Sequence, residues 1–493
     1  MTGTKKMLLL PLALLCCSMP AFAPLAQAGP GPVYSAITAR FTGEIEPNAT
    51  VMVLENDTAI ELGYVEQLIA AFNEAYKDQG IKAERLNTDQ YADLATDGPY
   101  GYGPDVWYQA NDIIMKYAQA QHILPVPYEA LDAKDQIPPS AWEAYAINLQ
   151  GETLYCGVPV NVQSGMLYYI ESMLPEHWQA DWDVNANGVP DFFETYTALY
   201  ALSADIKENG GKTEYGYLDD LIDTYFMGGY LFTYGAYIFG DHDTDPSDIG
   251  LGAGEAFKGA RMIRQWAKEM DNTEVVEKAF ASAAFSYLAT GRMLCTITTP
   301  DVRRMFIREM AANGWTAEEA ERDLKMINVP CLPVSGDLTA DGWRDTILRM
   351  DELTIPTRMM GGINGYGISA YTKCPNASLA FVEFATSYAQ VMLRNAMLGI
   401  IPARADAAAA VGETDDTVRI LFDKLDRDLI DIMPAIQAVG QLWTPWESFL
   451  VDITTDALRE NRGEAAAFGT DEQLQAGLNR LVQQLHDAIF TLQ

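Results

Sequence analysis

The chain has 493 residues, of which 49% are apolar and 20% charged, and its 33 basic and 68 acidic side chains give a net charge of −35. That length suits two or three domains, since single hydrophobic cores stop growing at roughly 250 to 300 residues, and the composition excludes a disordered or fibrous chain. So negative a surface repels phosphate backbones and anionic lipid, so neither nucleic acid nor a membrane surface is an expected partner.

Lys5 and Lys6 precede an apolar run from Met7 to Leu15 and then small residues ending Ala26-Gln27-Ala28. This is the layout of a secretory signal with an A-x-A cleavage site, so residues 1–28 read as a leader and the protein as exported, periplasmic or cell-surface. A lipid anchor on Cys16 or Cys17 is disfavoured, because Leu15 or Cys16 would stand where a small residue is usual before such a cysteine. No later stretch reaches the roughly 18 uninterrupted apolar residues of a membrane span.

Residues 29–48 open with Gly-Pro-Gly-Pro and little periodicity and read as a flexible tether. Val51 to Leu54 reads as a buried strand, Leu62, Val65, Ile69, Phe72 and Tyr76 recur at helical spacing, and Ile81 to Leu86 returns to strand character, a βαβ opening. A strand at Asp105 to Tyr108 and further alternation through Ala370 predict parallel sheets with helices on both faces, the α/β class. The end of the chain is helical: Leu474, Leu478, Leu481, Leu485 and Ile489 form one stripe behind a capping box of Thr470 and Gln473. Cys295 and Cys331 each lie in an apolar, strand-like run (Met293 to Ile297, Ile327 to Leu332). The four cysteines beyond the leader, with Cys156 and Cys374, fit one bridge between that pair or buried free thiols equally.

Chemistry is easier to exclude than to find. His122, His177, His242 and His486 show no metal-ligand spacing, and there is no G-x-S-x-G elbow, P-loop or G-x-G-x-x-G. A glycosidase needs only two carboxylates at the correct separation, so that class stays open. The strongest local motif runs from Asp183 to Glu194, matching D-x-[DN]-x-[DN]-G-x5-E at every specified position. Asp183, Asn185, Asn187, Asp191 and Glu194, with the Val189 carbonyl, are the oxygen ligands such a loop wraps around Ca2+, and Gly188 supplies its sharp turn. Asparagines at two positions and Pro190 at a third make it a weak structural site; the bland alternative is an Asx-rich turn. The cluster Asp241, Asp243, Asp245 and Asp248 lacks that spacing and reads as a solvated turn. Aromatic groups (Trp107-Tyr108, Tyr168-Tyr169, Tyr225 and Tyr230, Trp443 with Trp446) suit the faces of sugar rings, although each taken alone is more often core.

From about Val51 to the C-terminus the segments resemble those of the extracellular solute-binding proteins of ABC importers, in the maltose and maltodextrin-binding branch. The carriers are Gly103-Pro104-Asp105-Val106, Gly157 to Ser164 followed by Leu167-Tyr168-Tyr169, Gly228-Gly229-Tyr230-Leu231-Phe232, Ala289 to Met293 with Thr298-Thr299-Pro300, Tyr366 to Ser369, Gly399 to Ala403, and Met433-Pro434 ahead of Trp443. Each piece is weak alone; their order and spacing together are specific.

The resemblance implies a two-lobed periplasmic-binding-protein fold, type II, with a multi-segment hinge and a ligand held in the cleft as the lobes close. Lobe 1 would comprise residues 49–161 and 364–410, and lobe 2 residues 162–363 and 411–493, with crossovers near Asn161 to Gln163, Gly361 to Asn364 and Ala405 to Val411. It further implies that Glu55 to Asp57 and Gln109 to Asp112 (Asn111 among them) bond sugar hydroxyls, that Gln163 stands at a hinge position usually held by a carboxylate, and that Trp443 is the ring stacked under a glucose. Tyr225, Trp446 and Asp301 complete the expected ligand set. Gln109 and Asp301 stand where relatives often place Trp, and Ile113 where they place Arg, so the identity of the sugar stays open. The implied role is a monomeric, non-catalytic subunit that binds an oligosaccharide and hands it to membrane permease subunits. The rival is a secreted, calcium-stabilised polysaccharide-degrading enzyme; a third reading keeps the fold with a peptide or polyamine as ligand.

Overall fold

The computed structural model describes residues 40–149, 151–209, 211–278 and 280–491. The predicted leader, Cys16 and Cys17, and most of the predicted tether lie outside them. The end of that tether is bound down rather than free. Arg40 donates to the carbonyls of Ala370 and Thr372 at 2.6 Å each, and the Glu46 carboxylate accepts from the backbone N–H groups of Asn376 and Ala377 at 3.1 and 2.8 Å. A carboxylate at the first turn of helix Pro375–Ala385 satisfies amides that have no partner within the helix, which is what holds residues 40–46 in place.

The strand Thr50–Leu54 buries Val51, Val53 and Leu54 and pairs in parallel with Lys82–Arg85 on one side and Val106–Ala110 on the other. Helix Tyr64–Ala75 covers it with Tyr64, Val65, Leu68 and Phe72, completing the predicted βαβ opening. The rest of this sheet departs from the parallel arrangement expected. Its order is Ile401–Pro402, Val158–Ser164, Met359–Ser369, Val106–Ala110, Thr50–Leu54, Lys82–Arg85, with Ile123–Leu124 and Ile430–Ile432 also paired to Met359–Ser369. Met359–Ser369 is antiparallel to both Val106–Ala110 and Val158–Ser164, because these long strands carry the chain out of the lobe and back.

Val158–Ser164 leaves the first lobe and, after Gly165, Met166–Ile170 enters a second sheet of order Leu324–Ile327, Met166–Ile170, Met293–Thr298, Tyr215–Tyr217. The predicted strand Ile327 to Leu332 is split, ending at Ile327 and resuming at Leu332–Pro333; Pro330 brings no N–H to a ladder. Helices Thr224–Thr233, Ala256–Met270, Trp443–Asn461 and Asp471–Thr491 pack together beside this sheet. A Cβ on Gly259 would stand 2.3 Å from the Tyr230 carbonyl oxygen, so only glycine lets the first two approach this closely. The C-terminal stripe is buried, and Thr470 and Gln473 exchange both capping-box bonds at 3.1 and 3.3 Å. Cys156, Cys295, Cys331 and Cys374 are all free thiols, and the Cys295 Sγ donates to the Gly216 carbonyl at 3.3 Å.

Two crossings fall where the strands pair as Asn161 to Asn364, Val162 to Ile363, Gln163 to Gly362 and Ser164 to Gly361. The third lies just past the predicted stretch. Helix Ala405–Gly412 still packs on the first lobe, whereas Asp416–Asp426 packs on Leu324–Ile327 of the second. There Lys424, buried, donates to the Gly165 carbonyl at 3.2 Å, and burial pushes its ammonium down to about 7.

Candidate functional site

The strand ends of the first lobe and the helix starts of the second face one another across the crossing strands. On the first lobe, Asn56 caps helix Asp57–Glu61 by accepting from Ala59 N–H at 2.8 Å, which presents Asp57 to solvent. Val106–Ala110 runs into helix Asn111–Gln119, whose second residue is Asp112. The Gln90 carbonyl accepts from Gln109 Nε2 at 2.6 Å and Trp107 Nε1 at 3.0 Å, and its side-chain oxygen accepts from Asp57 N–H at 3.2 Å. These bonds fix the loop that carries Asp89 and Tyr91, a ring 66% exposed.

On the second lobe, Asp223 caps helix Thr224–Thr233 by accepting from Tyr225 N–H at 2.8 Å. Asp301 sits in the short helix before Arg303–Ala312, and Trp443, half-buried, begins the helix that carries Glu447 beside Asp220 and Asp223. At the hinge the Gln163 side-chain oxygen accepts from Asn364 Nδ2 at 3.1 Å, while its carbonyl accepts from Tyr225 O–H at 3.4 Å. The two lobes also meet at one edge, where Arg308 and Glu61 pair at 2.8 Å.

The electrostatics show which groups share this space. Desolvation, then the charges of Asp112, Asp57, Asp89 and Asp223, raise the Tyr91 phenol, and Tyr225 is raised by burial and by Asp301, Asp223 and Asp112. Burial pushes the Asp112 carboxyl up to about 6 and also raises Asp223 and Asp301. One oxygen each on Asp112, Asp301 and Asn364 is buried with no hydrogen-bond partner. Buried oxygens left so carry an uncompensated desolvation cost.

Several expected ligand residues do other work. Asn111 is fully buried with both amide ends committed, donating to the Met433 carbonyl at 2.8 Å and accepting from Ile363 N–H at 3.1 Å, so it holds the hinge. Gln109 is buried and spent on the Gln90 loop. Trp446 is wholly buried, edge-on to Phe232 at 5.9 Å in the second-lobe core, and offers no face to the cleft. Glu55 is also buried, held by Arg394 at 2.9 and 3.0 Å and by Tyr366 O–H. The Arg394 guanidinium lies 3.7 Å from the Tyr108 ring centroid, and Tyr108 O–H in turn donates to Asn161 at the hinge. Sequence reasoning missed Tyr91, Asp89, Asp223 and Arg394. The last had a readable signal, since it shares a buried face with Val391 and Leu398 at helical spacing.

The Asp183 to Glu194 loop lies away from the cleft on the second lobe. Asp183 accepts from the backbone N–H groups of Asn187 and Gly188 at 3.0 and 3.2 Å, and Gly188 turns the chain at φ +80°. Its frame is pinned by Trp182 stacked on Trp343 at 4.5 Å, by buried Phe192 and Phe193, and by Cys331 N–H donating to the Glu194 carbonyl at 2.8 Å. Asp191 is buried and accepts from Val184 N–H at 3.1 Å; desolvation, then the Glu194 and Asp183 charges, push it up to about 6. Among the described residues no three His, Cys, Asp or Glu side chains gather as a metal cluster. In the loop the asparagine amides stand between the carboxylates, with Asn185 and Asn187 donating to Glu194 at 3.0 and 2.8 Å. The oxygens of those amides accept from Asn187 N–H and Val189 N–H at 3.1 and 2.8 Å, so turning an amide to offer its oxygen to a hard cation breaks one of these bonds. The Asp241 to Asp248 cluster is mostly exposed, as expected of a solvated turn.

Among the described residues no helix is long and apolar enough to cross a membrane. The model of the bacterial extracellular solute-binding protein family matches residues 67–418. The chain is 23% identical over 403 residues to the maltodextrin-binding protein MdxE of Bacillus subtilis (strain 168), covering 79% of this chain and 82% of that one. It is 26% identical over 208 residues to a galactooligosaccharide-binding protein of the same organism, covering 42% and 44%. Among solved structures, MalX from Streptococcus pneumoniae in complex with maltopentaose superposes with a TM-score of 0.65 at 19% identity, covering 88% of this chain and 98% of that one. With its two larger sheets, its crossing strands and the cleft between them, the chain belongs to the bacterial extracellular solute-binding proteins.

Proposed function

We propose that this protein is the ligand-capturing subunit of an ABC importer and that its ligand is an oligosaccharide of the maltodextrin kind, held between the lobes. The observation that carries the reading is the convergence of carboxylates from both lobes, Asp57, Asp89 and Asp112 of the first and Asp223 of the second, on the exposed ring of Tyr91. Their oxygens are acceptors for the hydroxyl donors of a sugar, and Asp57 is exposed to receive them. Tyr91 and Trp443 offer ring faces, and Gln163 keeps its amide N–H groups for the ligand. The names of relatives and structural neighbours support the sugar class: maltodextrin, galactooligosaccharide and maltopentaose. Closure would then be what permease subunits read.

Isothermal titration calorimetry with maltotriose tests this: saturable one-to-one binding in the micromolar range supports it, and no heat with any maltodextrin removes it. Reducing-sugar release from a glucan panel separates the rival enzyme, for which turnover is required.

The same reading includes a structural Ca2+ ion held by Asp183, Asn185, Asn187, Asp191 and Glu194 with the Val189 carbonyl. The ion would supply positive charge beside Asp191, which burial and the Glu194 and Asp183 charges now raise, on a loop away from the cleft. It is supported by the pinned loop ends and the Gly188 turn, and it fails if chelator leaves the melting curve unchanged.

A further inference from the structure

We propose that a groove at the free edge of the first sheet is a docking site for an extended, basic peptide segment of another protein, which adds a strand to that sheet. The inference does not depend on the nature of the cleft ligand.

A cavity of about 940 Å3 is bordered by Ala146–Leu149, by residues 430–436 and, from the second lobe, by residues 242–244. It shares no lining residue with the cleft groups Asp57, Asp89, Tyr91, Asp112 and Asp223. Successive residues of a strand point to opposite faces, so unbroken runs along one cavity mean that strand edges form its walls.

Hydrogen bonds identify the backbone groups those edges offer. Among the described residues, Ile430–Ile432 pairs with Met359–Gly361, in parallel, and with no other strand. Met359 N–H donates to the Leu429 carbonyl and Met433 N–H to the Gly361 carbonyl, each at 3.0 Å. Alternate residues of a parallel ladder bond to the same neighbour. Leu429, Asp431 and Met433 therefore face the long strand, and Ile430 and Ile432 turn their N–H and C=O groups outward. Ala146–Leu149 pairs only with Glu152–Tyr155, and Cys156 N–H donates to the Tyr145 carbonyl at 2.9 Å. That phase leaves the N–H and C=O groups of Ala146 and Asn148 on the outer edge. Edges of this kind are templates for another chain, and Ile430–Ile432 carries neither the lysine nor the proline that usually blunts one.

Charge selects the partner. Glu143, Asp243, Asp428 and Asp431 border the groove against His242 and one guanidinium, Arg358. Arg358 is committed to Asp431 at 3.0 and 2.6 Å and to Asp428 at 3.5 Å. The neighbouring Lys424 and Arg427 are spent on the Gly165 carbonyl and on Asp423, and Lys116 lies against Gly440, outside the lining. Burial raises Asp243 and Asp431, a cost that added positive charge reduces. A strand bearing lysine or arginine pairs with the open backbone groups and supplies that charge, while Ile147, Leu149, Ile432 and Ile436 receive its apolar side chains.

The test is fluorescence anisotropy on the full mature chain at about 0.15 M salt. The probe is a labelled peptide of about seven residues alternating lysine and valine, matched to the 430–436 wall, beside the same peptide with glutamate for lysine. The lysine peptide is expected to bind with a Kd below about 100 μM and the glutamate peptide not to bind. Ile432→Pro removes an outward N–H without touching the ladder to Met359–Ser369, and should weaken binding at least about tenfold, whereas Ile432→Val keeps it. Glu143→Gln with Asp428→Asn should weaken it at least about threefold. Asp78→Asn with Glu464→Gln, exposed carboxylates that do not border the groove, should leave it unchanged. Each variant is checked for native circular dichroism, and if Ile432→Pro fails to fold the paired charge variants decide alone. No binding of the lysine peptide, or equal binding of both peptides, overturns the inference. Full binding by a folded Ile432→Pro places the peptide elsewhere and overturns it. An equal loss in the two charge variants assigns binding to the overall negative charge and overturns it as well.

Discussion

Two buried carboxylates of the first lobe are treated in opposite ways. Glu55, fully buried, meets a guanidinium and a tyrosine hydroxyl, and both of its oxygens are used. Asp112 is nearly as deep, yet one of its oxygens has no partner and burial alone lifts it to about 6. The first arrangement ties the strand end Thr50–Leu54 to the long strand Met359–Ser369 and fixes the lobe. The second keeps a carboxylate oxygen inside the fold with its desolvation cost unmet.

The comparison breaks most sharply at the frame. Arg394→Met removes one partner of a buried pair and leaves Glu55 charged among tyrosines, a change worth about 3 to 5 kcal/mol. Urea denaturation should show it as a large drop in midpoint, and a loss below about 1 kcal/mol would mean that the pair is not structural.

At the mouth the sign reverses. Asp112 has a folded pKa above its unfolded value of 3.8, so the folded state binds the extra proton and stability falls as pH rises from about 4 to about 6. Roughly two units make this about 3 kcal/mol at most. Asp112→Asn should therefore flatten that part of the ligand-free stability profile while weakening ligand binding at least about tenfold. A variant that is both less stable at pH 7 and unchanged in binding would put Asp112 in the frame instead.

The calcium loop is a third test of the same idea, since burial and neighbouring charge also raise Asp191 there. Chelation should lower the melting temperature by the equivalent of about 1.4 to 2.7 kcal/mol for an ion at 10 to 100 times its Kd. Glu194→Gln should make the protein insensitive to chelator. The smallest effect belongs to Arg308 and Glu61, half-exposed across the lobe edge. Arg308→Ala is expected to cost a few tenths of a kcal/mol and to change ligand affinity less than about threefold, less still at high salt.

The frame was more legible than the mouth for physical reasons. Strand runs such as Val51 to Leu54 and the stripe from Leu474 to Ile489 are written in local periodicity, and they stand where the pattern placed them. Sheet direction was not, because the antiparallel crossing strands depend on connections between residues some 200 positions apart. The site depends on which end of each side chain is spent elsewhere. Asn111 and Asp112 are neighbours of similar shape, and only packing tells that the first is committed to Met433 and Ile363 while the second keeps a free oxygen. Trp443 and Trp446 differ by three residues, yet helix geometry sends the second into the core. Tyr91 gave no signal, since it follows a strand in a loop of no periodicity.

The strap formed by Arg40 and Glu46 ends on helix Pro375–Ala385 of the first lobe and touches nothing in the second. Any load applied at the N-terminal side of the chain is therefore delivered to one half of the clamp. A pull there is carried by the first lobe, and the second feels it through the crossing strands.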